Sequence, residues 1–198
     1  MPEAGRVITG LAKGTRLLAP GAGTRPLADR VKQALFSALE AELAGRWPVT
    51  FLDLFAGSGA AGIEALSRGA PGAVFVERDP ATARVLARNL ERAGMAGGRI
   101  VRGDAGAVLG KGRPMADAPF GAVLVDPPYG QPAALTISLE LLGDGSLAWL
   151  EPWAIVATKH FWRDAAAQRA GSLALLRQRR FGETVLSYYR APSFEEAH

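Results

Sequence analysis

Short, wholly apolar segments alternate with helical segments through most of this chain. A strand that is apolar along its whole length is buried on both faces, which is typical of a parallel sheet covered by helices on each side. The pattern therefore predicts an α/β fold with a doubly wound, mainly parallel, Rossmann-like sheet of seven strands, ending in an antiparallel C-terminal hairpin. Strands are predicted at 49–56, 73–77, 99–103, 122–126, 154–157, 173–179 and 184–190, and helices at 29–43, 60–67, 80–93 and 133–142.

Composition narrows the classes of protein that remain. The 198 residues, 48% hydrophobic and 21% charged, suit one folded domain with a short appendage. There is no cysteine, which excludes disulfides, thiolate metal sites and cysteine nucleophiles, and His160 and His198 are the only histidines, which excludes a histidine metal cluster. No apolar run resembles a secretory signal or a membrane span, so we expect a monomeric cytoplasmic protein without a metal.

The excess positive charge lies at one end of the chain. Residues 1–33 carry six basic and two acidic side chains, and the rest of the chain is neutral. We therefore predict a basic N-terminal arm at 1–27, which holds one short hairpin at most, a main domain at 28–192 and a tail at 193–198, with a polyanion as the partner of the arm. A second basic group, Arg177 to Arg180, is left open between a plain surface and a nucleic-acid contact. The candidate contact residues of the arm and the following helix are Arg6, Lys13, Arg16, Arg25 and Arg30.

The segment 51–62 is a buried strand that runs into a glycine-rich turn and then a helix. Gly57, Gly59 and Gly62 fit the G-x-G-x-x-G pattern of dinucleotide-binding turns. Asp53 argues against a dinucleotide, because its carboxylate would repel a pyrophosphate above the turn. The same carboxylate would attract the ammonium group of S-adenosylmethionine, whose own carboxylate can accept from the N–H groups of the turn. A turn without side chains gains nothing from packing, which also favours a ligand.

Further cofactor contacts are predicted at the ends of the next two strands. Glu77 can accept both ribose hydroxyls, which does not separate S-adenosylmethionine from a nicotinamide cofactor, and Asp104 can accept from the adenine amino group. The predicted cofactor-binding residues are Asp53, Phe55, Gly57, Ser58, Gly59, Glu77, Asp104 and Ala105.

The tetrad Asp126-Pro127-Pro128-Tyr129 ends the fourth strand. The carboxyl ends of parallel strands meet in one cleft, so this tetrad lies beside the glycine-rich turn. An exocyclic amine of a nucleobase is a poor nucleophile, and two acceptors, the Asp126 carboxylate and the Pro127 carbonyl, can take its two N–H groups as the new bond forms. Tyr129 can stack on the base. Asp126, Pro127 and Tyr129 are therefore the candidate catalytic residues.

Together these segments resemble the bacterial RsmD family of 16S ribosomal RNA guanine-N2 methyltransferases. The resemblance rests on the run from Phe55 to Gly69, the tetrad, Thr24-Arg25-Pro26 and Asp29-Arg30-Val31, and it covers about residues 6–190. It implies a class I methyltransferase fold, S-adenosylmethionine as the methyl donor, and a guanine of 16S rRNA, of the guanine-966 type, as the acceptor in the assembling small subunit. It also implies that the arm contacts RNA.

Two positions depart from the family pattern, and other functions compete. Leu27 stands where the family usually has Thr, and Thr158-Lys159 stands where a Glu often closes the fifth strand, so substrate contacts at these positions are in doubt. The alternatives are a DNA adenine-N6 methyltransferase, which usually needs an additional recognition domain, and an NAD-dependent oxidoreductase, which would leave Asp53 and the two prolines unexplained. A non-catalytic RNA-binding factor would leave Asp126 and Tyr129 without a role.

Overall fold

Strands and helices alternate along the chain in the computed structural model, which describes residues 3–21 and 27–191. The strands are β1 (Glu3–Arg6), β2 (Arg16–Leu18), β3 (Phe51–Leu54), β4 (Ala73–Glu77), β5 (Gly98–Arg102), β6 (Phe120–Val125), β7 (Leu150–Phe161), β8 (Arg169–Ala170), β9 (Leu173–Phe181) and β10 (Thr184–Arg190). The helices are α1 (Asp29–Glu42), α2 (Ala60–Ser67), α3 (Pro80–Ala93), α4 (Ala105–Leu109) and α5 (Pro132–Gly143), with one 3₁₀ turn at Gly145–Leu147.

The central sheet has the strand order β5-β4-β3-β6-β7-β10-β9-β8. Pairings from β5 to β7 are parallel, and β10 runs antiparallel to both β7 and β9. The predicted sheet and its C-terminal hairpin are thus confirmed. The sheet has eight strands rather than seven, because the two-residue strand β8 pairs with β9 at the edge. A strand this short carries no readable apolar pattern.

Helices cover both faces of the sheet. One face packs on α1, α2 and α3 through side chains such as Phe36, Ile63 and Leu86, and the other packs on α4 and α5 through Leu109 and Leu139. Every residue of β3 and β6 is buried as a result. Within the described ranges, no helix has both the length and the apolar character needed to cross a membrane.

The chain changes direction across the sheet between β3 and β6. From β3 it proceeds outward to β4 and β5, and then returns to the other side of β3 as β6. In a doubly wound sheet, the cleft for ligands lies at such a switch point, outside the carboxyl ends of the strands. The glycine-rich turn after β3 and the tetrad after β6 both open into this cleft.

The N-terminal segment forms a two-stranded antiparallel hairpin that is docked on the main body. Ala4, Val7 and Leu17 are at most 2% exposed and belong to the same core as α1 to α3. The Ile8 N–H donates to Glu64 of α2 at 2.8 Å. The hairpin therefore shares the core of the main body, and the domain boundary after residue 27 stays a prediction. The predicted tail at 193–198 lies outside the described residues.

Candidate active site

The glycine-rich turn combines close packing with one open position. A Cβ at Gly59 would lie 2.0 Å from Leu86 Cδ1, and a Cβ at Gly62 would lie 2.2 Å from Phe75 Cε1. The expectation that this turn gains nothing from packing is therefore wrong at these two glycines, which let α2 approach α3 and β4. Gly57 differs, because its nearest neighbour would be the Phe55 carbonyl oxygen at 3.9 Å. Its missing side chain leaves room above the turn.

Three further predicted cofactor residues line this half of the site through their backbone or their packing. Phe55 has a φ of 63°, a left-handed conformation that is uncommon outside glycine and turns the chain away from β3. The Ser58 carbonyl accepts from Asn89 Nδ2 at 2.9 Å, which fixes the turn to α3. Ala105 is buried at the start of α4.

Asp53 lies in β3 beneath the start of α2. Its side chain is buried, and Oδ2 accepts from the Gly62 N–H at 2.9 Å. Burial raises the pKa of Asp53 to about 8. The Gly62 N–H opposes the shift, and the nearby carboxylates of Asp126 and Glu77 add to it. In the ligand-free protein at neutral pH, this carboxyl group is therefore mostly protonated.

Glu77 and Asp104 are both anchored by backbone donors. Glu77 accepts from the Gly57 N–H through Oε2 and from the Asp79 N–H through Oε1, each at 2.9 Å. Asp104 caps α4 by accepting from the Ala107 N–H at 3.0 Å. Because a carboxylate has about four acceptor sites, each retains capacity for a ligand hydroxyl or amine. In the described part of the chain, no group of three acidic or histidine side chains could hold a metal ion.

The strand register brings Asp53, Asp126 and Lys159 onto one face of the sheet. Leu124 of β6 pairs with Asp53 of β3 and with Ala157 of β7. Asp126 lies two residues beyond Leu124, and Lys159 lies two residues beyond Ala157, so their side chains share that face. The Lys159 ammonium donates to Asp126 Oδ1 at 2.6 Å.

Lys159 is the functional residue that sequence reasoning missed, since it was noted only as a departure from the family. The parallel register of β6 with β7 was the available signal, because it places the residue after Thr158 beside the residue after Val125. Burial raises the pKa of Asp126, and the charge and hydrogen bond of Lys159 oppose that shift.

Tyr129 is held against β7 and β10. Its hydroxyl lies 3.0 Å from Thr184 Oγ1, and its ring meets Phe161 edge-to-face with centroids 6.3 Å apart. The Lys159 Nζ lies 5.0 Å from the ring centroid. Within residues 3–21 and 27–191, the Pro127 carbonyl accepts no hydrogen bond. The acceptor residues of the tetrad thus sit together at the cleft, with the aromatic ring 38% exposed.

The predicted arm residues are not grouped at the cleft. Arg6 Nε pairs with Asp29 at 2.9 Å, and Arg16 pairs with Glu3 at 2.8 Å. Lys13 lies exposed in the hairpin turn. Arg30 is exposed on α1, and Arg25 lies outside the described residues.

Lys32 contributes to the sequence charge but cannot contact a partner, because it is fully buried with its Nζ 3.8 Å from Glu64 Oε2.

A second basic surface adjoins the cleft, and we call it the hairpin patch: Trp162, Arg163, Arg179, Arg180 and Phe181. Trp162 is 38% exposed. The Arg180 and Arg163 guanidinium carbons lie 4.2 and 4.8 Å from its ring centroid, and Arg179 lies 5.1 Å from the ring of Phe181. Among the described residues, no carboxylate lies within ion-pair distance of these three arginines.

Arg177, by contrast, pairs with Glu42 at 2.9 Å. The basic group left open by the sequence is thus divided, because Arg177 faces α1 and the other arginines flank an exposed aromatic ring beside the site.

Comparison with known proteins places the chain among a set of relatives that it matches along nearly its whole length. Residues 5–190 match the family described as conserved hypothetical protein 95. The chain is 32% identical to Ribosomal RNA small subunit methyltransferase D of Escherichia coli (strain K12) over 186 residues, covering 93% of this chain and 89% of that protein. It is 33% identical to the protein of the same name from Haemophilus influenzae over 158 residues, covering 76% of each.

Solved structures show the same architecture. A hypothetical protein from Thermus thermophilus superposes with a TM-score of 0.77 at 32% identity, covering 93% of this chain and 98% of that one. The rRNA methyltransferase aviRa from Streptomyces viridochromogenes has a TM-score of 0.67 at 19% identity, covering 90% and 91%, which shows a likeness of fold alone.

Proposed function

The chain belongs to the RsmD family, and from this premise we propose that it methylates the exocyclic N2 of a guanine in 16S rRNA with S-adenosylmethionine as the donor. The class I methyltransferase fold is shared with structural neighbours of that class. One observation carries the proposal. Asp53 and Asp126 face one cleft from neighbouring parallel strands, and beside them the Pro127 carbonyl accepts no hydrogen bond from the described residues.

The cofactor half suits S-adenosylmethionine better than a dinucleotide. Buried Asp53 offers a charge to an ammonium group, whereas a pyrophosphate there would meet three neighbouring carboxyl groups, those of Asp53, Glu77 and Asp126. Gly57 leaves space above the turn, Glu77 stands at the end of β4 for ribose hydroxyls, and Asp104 stands at the end of β5 for the adenine amine. When bound, S-adenosylmethionine supplies a methyl group on a positively charged sulfur.

The acceptor half binds and polarises the amine. We assign Asp126 and the Pro127 carbonyl as acceptors for the two N–H groups of guanine N2, and Tyr129 as the ring on which the base stacks. These acceptors disperse the positive charge that develops on nitrogen as the methyl group is transferred in line, without a covalent enzyme intermediate. Positioning and preorganised electrostatics supply the rate enhancement.

We propose that the substrate RNA contacts the hairpin patch as well as the arm. Exposed Trp162 offers a face for an unpaired base, and the adjacent arginines carry charge that no carboxylate among the described residues neutralises. The arm residues Arg6, Lys13, Arg16, Arg25 and Arg30 stay candidate RNA contacts. Arg6 and Arg16 would have to share their guanidinium groups with carboxylates, which weakens their attraction for phosphate.

Point substitutions test the two RNA surfaces, because deleting residues 1–27 would uncover the buried side chains of Ala4, Val7 and Leu17. We expect Arg163→Gln/Arg179→Gln/Arg180→Gln to flatten the logarithmic salt dependence of RNA binding by up to about 2, at roughly 0.7 per phosphate contact. Arg6→Gln/Arg16→Gln serves as the matched comparison and should flatten it less. The reverse order would assign RNA binding to the arm.

The activity itself is tested with 16S rRNA and small-subunit particles from a strain that lacks the gene. Incubation with labelled S-adenosylmethionine should place the label on guanine N2, of the guanine-966 type, as mapped by mass spectrometry. Label on adenine N6 of DNA, or binding of NADH in place of S-adenosylmethionine, would contradict the proposed function.

A further inference from the structure

Lys159 contacts two of the three residues assigned to the acceptor half. Its ammonium donates to Asp126 Oδ1 at 2.6 Å and lies 5.0 Å from the centroid of the Tyr129 ring. The lysine side chain is only 10% exposed, and that of Asp126 is 24% exposed. A buried lysine is placed here against the carboxylate that receives the target amine.

We propose that Lys159 is a positioning residue for methyl transfer, which keeps Asp126 charged and aimed at the target amine and supports the ring of Tyr129. This inference rests on the proposed function, since it concerns the same acceptor residues. The lysine acts through Asp126 and Tyr129, and the reacting nitrogen is held by Asp126 and the Pro127 carbonyl.

Charge balance at the cleft explains why a cation is needed at this position. Asp126 from β6 faces Asp53 from β3, and Glu77 from β4 lies close enough to Asp53 to raise its pKa. Of the charged groups that influence Asp126, Lys159 from β7 is the cation. Buried like charges favour protonation of one of them, and an adjacent cation reverses that tendency. Without the lysine, Asp126 would take up a proton and lose acceptor strength.

The geometry also limits how Lys159 occupies the carboxylate. A carboxylate has two oxygens, and the ammonium bond is to Oδ1. The pair can therefore persist while the other oxygen accepts from guanine N2. The ammonium is held on the side of Tyr129 and Phe161, which leaves the side facing Asp53 and the cofactor half to the amine.

Lys159→Met removes the charge while keeping an unbranched side chain, and Lys159→Arg keeps the charge. At saturating S-adenosylmethionine, we expect Lys159→Met to lower kcat by about 10- to 100-fold at pH 7. The acidic limb of the kcat–pH profile should move to higher pH by about one unit or more. Lys159→Arg should restore most of the rate and the original limb. The dissociation constant of S-adenosylmethionine should change by less than about twofold, because the cofactor half is intact.

Lys32→Met provides the matched control, because Lys32 is also buried, pairs with Glu64 at 3.8 Å and lies outside the site. It should lower the melting temperature without moving the pH profile. If Lys159→Met lowers kcat but leaves the pH limb in place, as Lys32→Met does, the lysine is merely structural and the inference is wrong. If the unmodified protein does not methylate guanine at all, the proposed function fails instead.

Discussion

Asp53 and Asp126 lie on neighbouring parallel strands and face one cleft, but the protein holds them in different ways. Asp53 accepts from a backbone N–H at the start of α2, whereas Asp126 is paired with the side chain of Lys159. The same contrast extends to their surroundings. Glu77 is fixed by two backbone donors, and Tyr129 is fixed by side chains of β7 and β10.

The difference indicates that the two halves of the site are built for different tasks. Backbone donors are part of the fold, so the cofactor half is rigid and costs little reorganisation when its ligand binds. Side-chain contacts can be exchanged, so the acceptor half can adjust as a base enters. Substitutions in the cofactor half should therefore affect binding of the donor, and substitutions in the acceptor half should affect the rate of transfer.

The strongest test of this division is removal of the Asp126 carboxylate. We expect Asp126→Ala to lower kcat by about 10²- to 10³-fold, the usual loss for one preorganised electrostatic group, and to leave the affinity for S-adenosylmethionine nearly unchanged. Because alanine leaves Lys159 buried without its partner, Asp126→Asn is the shape-preserving companion and should show an intermediate loss. Steady-state kinetics and calorimetry measure the two effects separately. An unimpaired kcat would remove Asp126 from the mechanism.

Tyr129 tests whether the acceptor half works through a ring or a hydroxyl. Tyr129→Ala should reduce kcat/KM for RNA by about 10- to 100-fold, because stacking of a base on an aromatic ring contributes about 1–3 kcal/mol. Tyr129→Phe should be mild, since it keeps the ring and loses the exposed hydroxyl contact with Thr184. Equal losses in the two variants would show that the hydroxyl, and not stacking, is what matters.

The sequence predicts the elements of this fold well where they are long and strongly patterned. The bounds of α2, α3, β4 and β10 coincide with the predicted ones. The five-residue helix α4 was missed, because it is too short to show helical periodicity. Strand β7 extends beyond its predicted bounds at both ends, since its polar end residues pair with β10 and interrupt the apolar run.

Site residues were predictable where a motif or a strand end fixes them, and not where a side chain from a distant strand decides. Asp53 and Asp126 follow from the parallel sheet. The Lys159 contact requires the register of β6 with β7, and the pairing of Arg16 with Glu3 requires the geometry of the N-terminal hairpin. The close packing of Gly59 on Leu86 likewise depends on how α2 meets α3.

On the cofactor side, the charge of Asp53 is tested by Asp53→Asn. The amide can still accept from the Gly62 N–H, so the helix start is preserved while the charge is lost. At pH 8, we expect affinity for S-adenosylmethionine to fall by about tenfold or more, the usual worth of a hydrogen bond to a charged group, with kcat at saturation little changed. Isothermal titration with NADH as the comparison ligand should show no binding in either protein. A drop in kcat at unchanged affinity would instead place Asp53 in the acceptor half.

The smallest expected effect is the pH dependence of donor binding. The pKa of Asp53 in the free protein is about 8, so the carboxyl group must lose a proton before it can pair with an ammonium group. Affinity for S-adenosylmethionine should therefore rise by roughly fivefold between pH 7 and pH 8, and it should level off above pH 8, where α-amino groups of pKa about 8 lose their charge. Titrations in buffers of different ionisation enthalpy should show proton release on binding at pH 7. The same raised pKa means that Asp53 favours the folded state at low pH and that this contribution is lost as pH rises through about 8. Asp53→Asn should abolish the proton release and flatten both pH dependences. A donor affinity that does not vary with pH in the unmodified protein would show that Asp53 is already charged, and that the two halves of the site do not differ in the way their carboxylates are held.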